Sequence, residues 1–537
     1  MELKQVSLWG PTFTIPEQAA TINKVQAALE NPKEVKKIIA SKKLPVEEKL
    51  MLVKAEVNRI LGKYKDDTVV IKTKTELKQY IDKALENKII AIDTETNNSL
   101  DPITCKLMGP CIYTPGLKNA YIPVNHVDLK TGERLDWQLT EQDIYEEFKR
   151  LDGIEIITHN GKFDYEVLYC TIGWKMPVTW DTMIAARLLD ENEKASLKEQ
   201  YRTKMDPSQE KYDIEHLFAK LEYAIIDPEL FALYAATDSF MTYKLYEWQK
   251  KQFEDPDLNL IKVYKLYTEV ELPVMFVSAQ MELDGICFDF DYCERLKLKY
   301  NRLLDNVKAE LDKELAVLAP KISAWRLTDD ANKRPKAKIN AKGKEIVQKT
   351  KNEQLKDPVE LTSPTQLAIL LYDVLGCPVV DKKTPRGTGK EILMALALDY
   401  PICKILLKQR ELLKLIDAFL ESLPQKVSKK DGRLHAHFNQ LGTDTGRFSC
   451  TDPNLQQIPS HNAEIRLLFS AACDEHDIEI VDNYYDISAL DEVQVDYNKW
   501  CFIKDLKIGD TLVTSENTYD IIKNIELLDD KVYRVYV

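Results

Sequence analysis

Several features that define secreted, membrane-spanning or zinc-binding proteins are missing from this sequence. It has no run of about 18 apolar residues, which argues against a membrane partner. Its start, MELKQVSLWG, lacks the basic and then apolar pattern of a secretory signal. Its ten cysteines form no CxxC pair and no Cys/His cluster at zinc spacing. We therefore expect reduced thiols and a cytoplasmic protein.

The composition provides material for several folded domains. The chain has 537 residues, of which 44% are hydrophobic, so it is long enough to build more than one core. The net charge is −13, but residues 471–537 hold sixteen Asp/Glu against six Lys/Arg and so carry −10 of it. The first 470 residues carry only −3, and the acidic total does not exclude a body that binds DNA.

Residue patterning divides the chain into four segments. Residues 1–67 are rich in Lys and Glu at helical spacing, interrupted by Pro45. Residues 68–261 alternate short β-rich runs with helical stretches, which predicts an α/β domain with a mixed sheet. Residues 262–470 are mainly helical and contain two long stretches that could pair as an arm. Residues 471–537 consist of short β runs and turns.

Two carboxylates follow the apolar run 89–92. Asp93 and Glu95 are two residues apart on a predicted strand and so project from the same face. They would converge at the carboxyl end of that strand, where open α/β sheets bind ligands. Such a pair suits a divalent cation, although it could also cap the next turn.

Three further candidates lie in two other segments. Asp164 follows a predicted strand and would lie in the first turn of a helix, where it could also serve the helix dipole. Tyr234 and Asp238 are four residues apart and share one helical face, although an exposed Asp beside a half-buried Tyr has the same spacing. If these segments meet, their carboxylates could hold two Mg²⁺ or Mn²⁺ ions for phosphodiester hydrolysis.

The stretches DTET, THNGKFD and YAATD resemble, in this order, the three motifs of DnaQ-like 3′-to-5′ exonucleases. The resemblance implies an RNase H-like α/β domain with a mixed sheet. It also implies that Asp93, Glu95 and Asp238 hold one metal ion, that Asp164 serves the second, and that Tyr234 orients the attacking water.

The second half of the chain resembles family A DNA polymerases of the bacterial polymerase I and phage type. The resemblance rests on SPTQLAILLYDVLG, TDTGRFSC and DPNLQQIP, and with the exonuclease motifs it covers roughly 68–470. It implies a mainly α thumb and part of a palm. The two resemblances together imply DNA contacts by Leu100, Asn160, Arg447, Asn454 and Gln456.

We expect no nucleotide incorporation by this chain alone. Family A polymerases continue with a DYSQIE-like strand and a fingers helix, which we do not find after Arg466. The run IKDLKIGDTL instead resembles the opening β region of Hint modules. A splicing-inactive insert is the preferred interpretation of this small β segment, and a half-intein or unrelated β structure stays open.

The sequence therefore predicts the N-terminal part of a family A DNA polymerase, with a proofreading exonuclease that uses two divalent cations. Its expected partners are a DNA primer-template and a single-stranded 3′ end, in the cytoplasm of a bacterial host. Two alternatives stay open. One is a DNA-binding subunit completed by a separately encoded palm and fingers polypeptide, and the other is a free-standing or RNA-directed exonuclease.

Overall fold

The computed structural model describes residues 45–469 apart from 210, 213, 340–344 and 444, and it describes short strands between 484 and 536. Unit 1 is formed by the chain up to Gly285 together with His435–Gln456. Unit 2 is formed by Ile286–Leu434 and the residues from Gln457 onward. Residues 262–285 thus cluster with the first unit, and the four segment boundaries drawn from the sequence stay predictions. Among the described residues, no helix is both long and apolar enough to cross a membrane.

Unit 1 is built on a six-stranded mixed sheet, as predicted. The strands are β1 Thr68–Val70, β2 Ile89–Thr96, β3 Leu107–Tyr113, β4 Asn119–Tyr121, β5 Glu155–Thr158 and β6 Trp180–Asp181. Their order across the sheet is β1-β4-β3-β2-β5-β6. Strand β3 runs antiparallel to both of its neighbours, whereas β2, β5 and β6 are mutually parallel.

Ten helices of unit 1 are described. They are α1 Val46–Leu61, α2 Lys74–Asn87, α3 Glu141–Phe148, α4 Gly161–Ile172, α5 Thr182–Leu189, α6 Leu197–Lys204, α7 Ile214–Leu217, α8 Pro228–Glu254, α9 Ile261–Leu266 and α10 Leu272–Asp284. The longest of them, α8, packs across β1, β2, β3 and β4. It begins where Asp227 accepts hydrogen bonds from the first-turn amides and where Pro228 fits the first helical position.

The centre of the sheet is buried on both faces. Ile90, Ala91 and Ile92 of β2 are all fully buried, which explains why this run is apolar without alternation. One apolar cluster contains these residues, and a second cluster contains Cys111 and Phe231. The apolar run thus fixes β2 in the middle of the sheet, and its polar end becomes the site described below.

Unit 2 is mainly helical. Its elements are β7 Ile286–Cys287, α11 Phe290–Arg326, α12 Asp329–Asn332, β8 Lys338–Ile339, β9 Glu345–Ile346, α13 Lys351–Gln354, α14 Pro364–Ala368, α15 Lys390–Leu396, α16 Pro401–Leu415, β10 Arg433–Leu434 and α17 Ala463–Arg466. Helix α11 packs against α16, so the two long helical stretches do pair. Leu296, Leu304 and Leu406 belong to their shared apolar core.

The hairpin of β11 His437–Asn439 and β12 Ser449–Thr451 belongs to unit 1. The C-terminal segment forms short antiparallel strands, as its β-rich pattern predicted. They are β13 Tyr484–Ser488, β14 Glu492–Gln494, β15 Trp500–Phe502, β16 Thr511–Val513, β17 Tyr519–Ile521, β18 Asn524–Asp529 and β19 Val532–Tyr536. Most of the residues that carry the Hint-like resemblance, like residues 1–44, lie outside the described part of the chain.

The cysteines follow the sequence prediction with one exception. Seven of those described carry free thiols, and six of the seven are buried. Cys287 is disulfide-bonded, so the expectation of a reduced thiol is wrong at this position. The spacing of cysteines along the chain does not reveal this bond.

At Gly109, strand β3 lies very close to the backbone of Ile122. A Cβ at this position would lie 2.1 Å from the Ile122 carbonyl oxygen. We expect Gly109→Ala to lower the free energy of unfolding of the full chain by roughly 1–3 kcal/mol, measured by urea denaturation. Gly62→Ala is the control, because its nearest neighbour is Asn58 Cβ at 4.0 Å. Equal effects of the two substitutions would contradict the close approach.

Candidate active site

Strand β2 brings two carboxylates to one face of the sheet. In the β2–β3 register, Asp93 lies opposite Cys111 and Glu95 lies opposite Gly109. Ligand atoms of Asp93, Glu95 and Cys111 all lie within 4.8 Å of one another. The pairing becomes irregular directly after Glu95, so the two carboxylates lie where the regular ladder ends.

Asp164 reaches this strand from the first turn of α4. Its Oδ1 accepts hydrogen bonds from the Thr94 backbone amide at 2.9 Å and from Thr94 Oγ1 at 2.7 Å. The start of α4 is held by Asp181, which accepts a hydrogen bond from the Gly161 amide at 2.6 Å. A Cβ on Gly161 would lie 2.0 Å from Thr158 Oγ1, so this close turn requires glycine.

Helix α8 contributes a phenol and a fourth carboxylate, one turn apart. Tyr234 and Asp238 are both buried. Lys198 Nζ, from α6, donates to Asp238 Oδ2 at 2.7 Å and to the Tyr234 hydroxyl at 3.2 Å. The other oxygen of Asp238, Oδ1, is buried and has no hydrogen-bond partner among the described residues.

Crowding and burial oppose ionisation of these carboxylates. Burial raises the pKa of Asp93 well above its usual range, and the nearby Asp164, Glu95 and Asp238 add to the rise. Burial and then Asp238 raise the pKa of Glu95 to about 8. Burial raises the pKa of Asp164 to about 7, although the Thr94 hydrogen bonds oppose this. A bound cation would remove this penalty because it favours the ionised forms.

The structure therefore brings together the five residues that the three motifs nominated. They are Asp93, Glu95, Asp164, Tyr234 and Asp238, and their individual catalytic roles stay predictions. Lys198 also belongs to the site, and the sequence analysis missed it. Its helix has an ordinary polar composition, and nothing in its local pattern marks one lysine as a partner of Asp238.

The predicted DNA-contact residues share exposure to solvent. Leu100 is 81% exposed, which is unusual for a leucine. Asn160 is exposed directly before α4, with a left-handed backbone at φ 66°. Arg447, Asn454 and Gln456 are exposed as well, and Arg447 lies in the loop between β11 and β12. All five side chains are thus accessible to a ligand, and their DNA contacts stay predictions.

Some of the predicted DNA-contact residues near the β11–β12 hairpin hydrogen-bond to neighbouring residues of the same segment. The Gln456 side-chain amide donates to the Phe448 carbonyl at 2.7 Å, and the Gln456 backbone amide donates to Asn454 Oδ1 at 3.2 Å. The Arg447 carbonyl accepts from Thr443 Oγ1 at 2.6 Å. These bonds join the residue after Arg447 to the 3-10 turn Leu455–Gln457, which contains Gln456.

Glu282 of α10 and Lys162 of α4 both hydrogen-bond to Phe438 of this hairpin. Glu282 Oε1 accepts from the Phe438 amide at 2.6 Å and from Lys162 Nζ at 2.5 Å, and Glu282 Oε2 pairs with His437 Nδ1 at 3.1 Å. Burial opposes ionisation of Glu282, but His437 and Lys162 leave its pKa below its usual range. Lys162 lies two residues before Asp164, so the hairpin and the carboxylate cluster share one helix.

We expect divalent cations to bind more tightly as pH rises to about 8. Glu95, with its pKa of about 8, and Asp164, with its pKa of about 7, hold protons at pH 6 that a cation must displace. Calorimetric titration with Mg²⁺ in buffers of different ionisation enthalpy should show about one to two more protons released at pH 6 than at pH 9. A Glu95→Gln/Asp164→Asn variant is the control. Equal proton release at both pH values would contradict the shifts.

We expect Lys198→Met to destabilise the cation-free chain. The substitution leaves the buried Asp238 carboxylate without its ammonium partner, and we expect a loss of about 1–2 kcal/mol, because the Lys198 side chain is still 30% exposed. Saturating Mg²⁺ should restore most of this, since the cation supplies the lost positive charge. Denaturation with EDTA and with Mg²⁺ measures both effects. Lys194→Met, at an exposed position in the loop before α6, should change neither.

Comparison with known families matches two parts of the chain. Residues 68–254 match the family described as 3′-5′ exonuclease, and residues 329–487 match DNA polymerase family A. All five residues of the cluster lie within the first match. The second match extends past residue 470 into the C-terminal segment.

Curated relatives are bacterial DNA polymerases I. The chain is 29% identical over 399 residues to the DNA polymerase I of Borreliella burgdorferi, covering 72% of this chain and 37% of that protein. It is 26% identical over 504 residues to that of Treponema pallidum, covering 85% and 44%. It is 32% identical over 197 residues to the thermostable DNA polymerase I of Thermus aquaticus, covering 36% of this chain and 19% of that protein. The chain spans less than half the length of these relatives.

A solved structure shares the fold. The POL domain of Pol1 from M. smegmatis, in complex with DNA primer-template and dNTP, superposes with a TM-score of 0.50 at 20% identity, covering 74% of this chain and 57% of that one. The predicted exonuclease-like α/β domain with a helical polymerase region is thus confirmed. The exonuclease family is one that depends on divalent cations. The chain belongs to the family A DNA polymerases, of which it carries the 3′-5′ exonuclease domain and part of the polymerase domain.

Proposed function

We propose that this chain removes nucleotides one at a time from the 3′ end of DNA, as the proofreading part of a DNA polymerase. The observation that carries the proposal is the convergence of Asp93, Glu95, Asp164 and Asp238 in one buried cluster beside the phenol of Tyr234. Hydrolysis of a phosphodiester places negative charge on both the attacking and the leaving oxygen. A cluster that requires added positive charge suits that reaction.

The cluster fits two divalent cations, Mg²⁺ or Mn²⁺. Asp93, Glu95 and Asp238 would hold one ion, and Asp164 would serve the second. Asp238 Oδ1 has no hydrogen-bond partner in the part of the chain that the structure describes, which supports this, because a buried carboxylate oxygen without a hydrogen bond is costly unless a cation contacts it. Bound cations would supply Lewis-acid stabilisation and lower the pKa of a bound water.

Tyr234 is suited to orient the attacking water. Burial raises its pKa well above the usual range, so the phenol keeps its proton at neutral pH. Lys198 Nζ donates to the phenol oxygen, which leaves the O–H group available to donate elsewhere. A hydroxyl with a fixed acceptor side and an available proton can hold one water in a defined orientation.

The proposed substrate is a DNA primer end whose last nucleotides are unpaired. Exposed Leu100 and Asn160 would contact the terminal nucleotide. Arg447, Asn454 and Gln456 would contact the primer-template, where minor-groove acceptors report the shape of a base pair more than its sequence. Mismatched ends should be trimmed faster, because they unpair at a lower energetic cost.

The match to a DNA polymerase family favours DNA over RNA as the substrate. A subunit completed in trans by a separate palm and fingers polypeptide keeps the same exonuclease chemistry and is the second form of this proposal. The phage-type origin and the cytoplasm of a bacterial host also belong to the proposal, and so does the Hint-like nature of the C-terminal strands.

We expect Asp93→Asn to lower the rate of trimming of a 5′-labelled DNA primer with Mg²⁺ by at least about a hundredfold, because several kcal/mol of charge stabilisation are lost. EDTA should stop the wild-type reaction. Asp136→Asn is the matched control, because Asp136 is exposed in the same unit. Duplex binding, measured by fluorescence anisotropy, should be retained by both variants. Full activity of Asp93→Asn would contradict the proposed site.

The RNA-directed alternative predicts a different outcome in the same assay. We expect a mismatched DNA primer to be trimmed several-fold faster than a matched one, and RNA to be trimmed more slowly than DNA. Comparable trimming of RNA, together with no change of duplex affinity in Arg447→Ala, would favour the alternative.

A further inference from the structure

A thiol lies beside the carboxylate pair of β2. Cys111 of β3 is the direct cross-strand partner of Asp93. Its Sγ lies within 4.8 Å of ligand oxygens of both Asp93 and Glu95. Cross-strand partners point to the same face of a sheet, so the backbone pairing itself sets this arrangement.

The sulfur occupies the inner side of the pair. Cys111 is 0% exposed, carries a free thiol and packs in the same apolar cluster as Tyr121, Phe231 and Tyr234. Asp93, in contrast, is only half-buried. The buried sulfur and the partly exposed Asp93 carboxylate thus lie next to each other at this end of β2.

A second observation indicates that this place takes a cation. Asp238 is 7% exposed, and its Oδ1 is buried without a hydrogen-bond partner among the described residues. The Asp238 carboxylate is near enough to act electrostatically on Asp93, Glu95 and Cys111. Lys198 pairs with the other oxygen of this carboxylate, Asp238 Oδ2, at 2.7 Å.

We propose that Cys111 is a ligand of the cation held by Asp93 and Glu95, so that the exonuclease site prefers thiophilic divalent cations such as Zn²⁺, Cd²⁺ and Co²⁺ over Mg²⁺. This rests on the proposed function only in naming the cation site. On binding, a sulfur–metal bond forms and the S–H proton passes to the buffer. Mg²⁺ retains oxygen ligands and water, whereas thiolate ligands select the softer ions.

The first test is spectroscopic and needs no DNA. Reduced, cation-free full-length protein is titrated with Cd²⁺, and the ultraviolet sulfur-to-cadmium charge-transfer band is recorded for wild type, Cys111→Ser and Cys450→Ser. Cys450 is the control, because it is another buried free thiol of unit 1 and its Sγ donates to the Pro453 carbonyl. We expect the band in wild type and Cys450→Ser, and its loss or reduction by one thiolate in Cys111→Ser.

The second measurement separates the soft from the hard cation. By calorimetry, Cys111→Ser should bind Cd²⁺ at least about tenfold more weakly than wild type does. The Mg²⁺ affinities of the two proteins should agree within about threefold. Cys111→Ala repeats the test without a hydroxyl, and thermal unfolding checks that each variant is folded. Equal bands and equal Cd²⁺ affinities in wild type and both Cys111 variants would overturn the inference.

The outcomes also separate this inference from the proposed function. Wild-type protein that trims DNA with Mg²⁺ but shows no Cys111-dependent cadmium band refutes the thiol ligand and leaves the exonuclease proposal standing. If wild-type protein shows the band but fails to trim DNA with any divalent cation tested, the exonuclease proposal is refuted instead.

Discussion

The arrangement of the site depends on the hydrogen bonds between Thr94 and Asp164. Four carboxylates cannot be gathered in one buried place unless something opposes their repulsion. The Thr94 amide and hydroxyl both donate to one oxygen of Asp164 and so bind the start of α4 to the end of β2. The adjoining turn is closed by Gly161, whose missing side chain allows the contact with Thr158. The backbone, held by the sheet and its apolar clusters, thus keeps the charges together.

The same constraint explains why the site is tuned for a cation. In the cation-free protein the charge is moderated in two ways, by protons held on Glu95 and Asp164 and by the ammonium of Lys198 on Asp238. Both can be displaced when a divalent cation binds. Stability and cation binding are therefore coupled, because the buried carboxylates that repel one another are the groups that would bind a cation.

Outside the cluster, the buried carboxylate of Glu282 holds the β11–β12 hairpin of unit 1 in place. Glu282 receives hydrogen bonds from the hairpin at Phe438 and from Lys162 in α4. The hairpin loop carries Arg447, the residue expected to contact the primer-template. The hairpin that carries this loop is hydrogen-bonded at Phe438 to Lys162 of α4, the helix that also carries Asp164. The two parts of unit 1 that belong to different family matches are thus joined by hydrogen bonds among Glu282, Lys162 and Phe438.

The local pattern of the sequence determined much of this protein. The spacing of Asp93 and Glu95 placed both on one strand face, and the four-residue step from Tyr234 to Asp238 placed both on one helix face, because these periods follow from backbone geometry. The helix that carries Asp164 ends at Gly173, which takes the left-handed conformation that glycine adopts readily. The mixed sheet and the paired helices of unit 2 followed from patterns of the same kind.

Only the tertiary structure decided which distant residues meet. Cys111 became a neighbour of Asp93 through the β2–β3 register, and Lys198 reached Asp238 through the packing of α6 on α8. Glu282 found His437 across 155 residues of chain. No sequence periodicity or motif predicts these contacts, because a side chain that contacts a residue far along the chain leaves no local pattern in the sequence. The sequence thus determined the chemistry that each element can present, and the folded chain determined which groups act together.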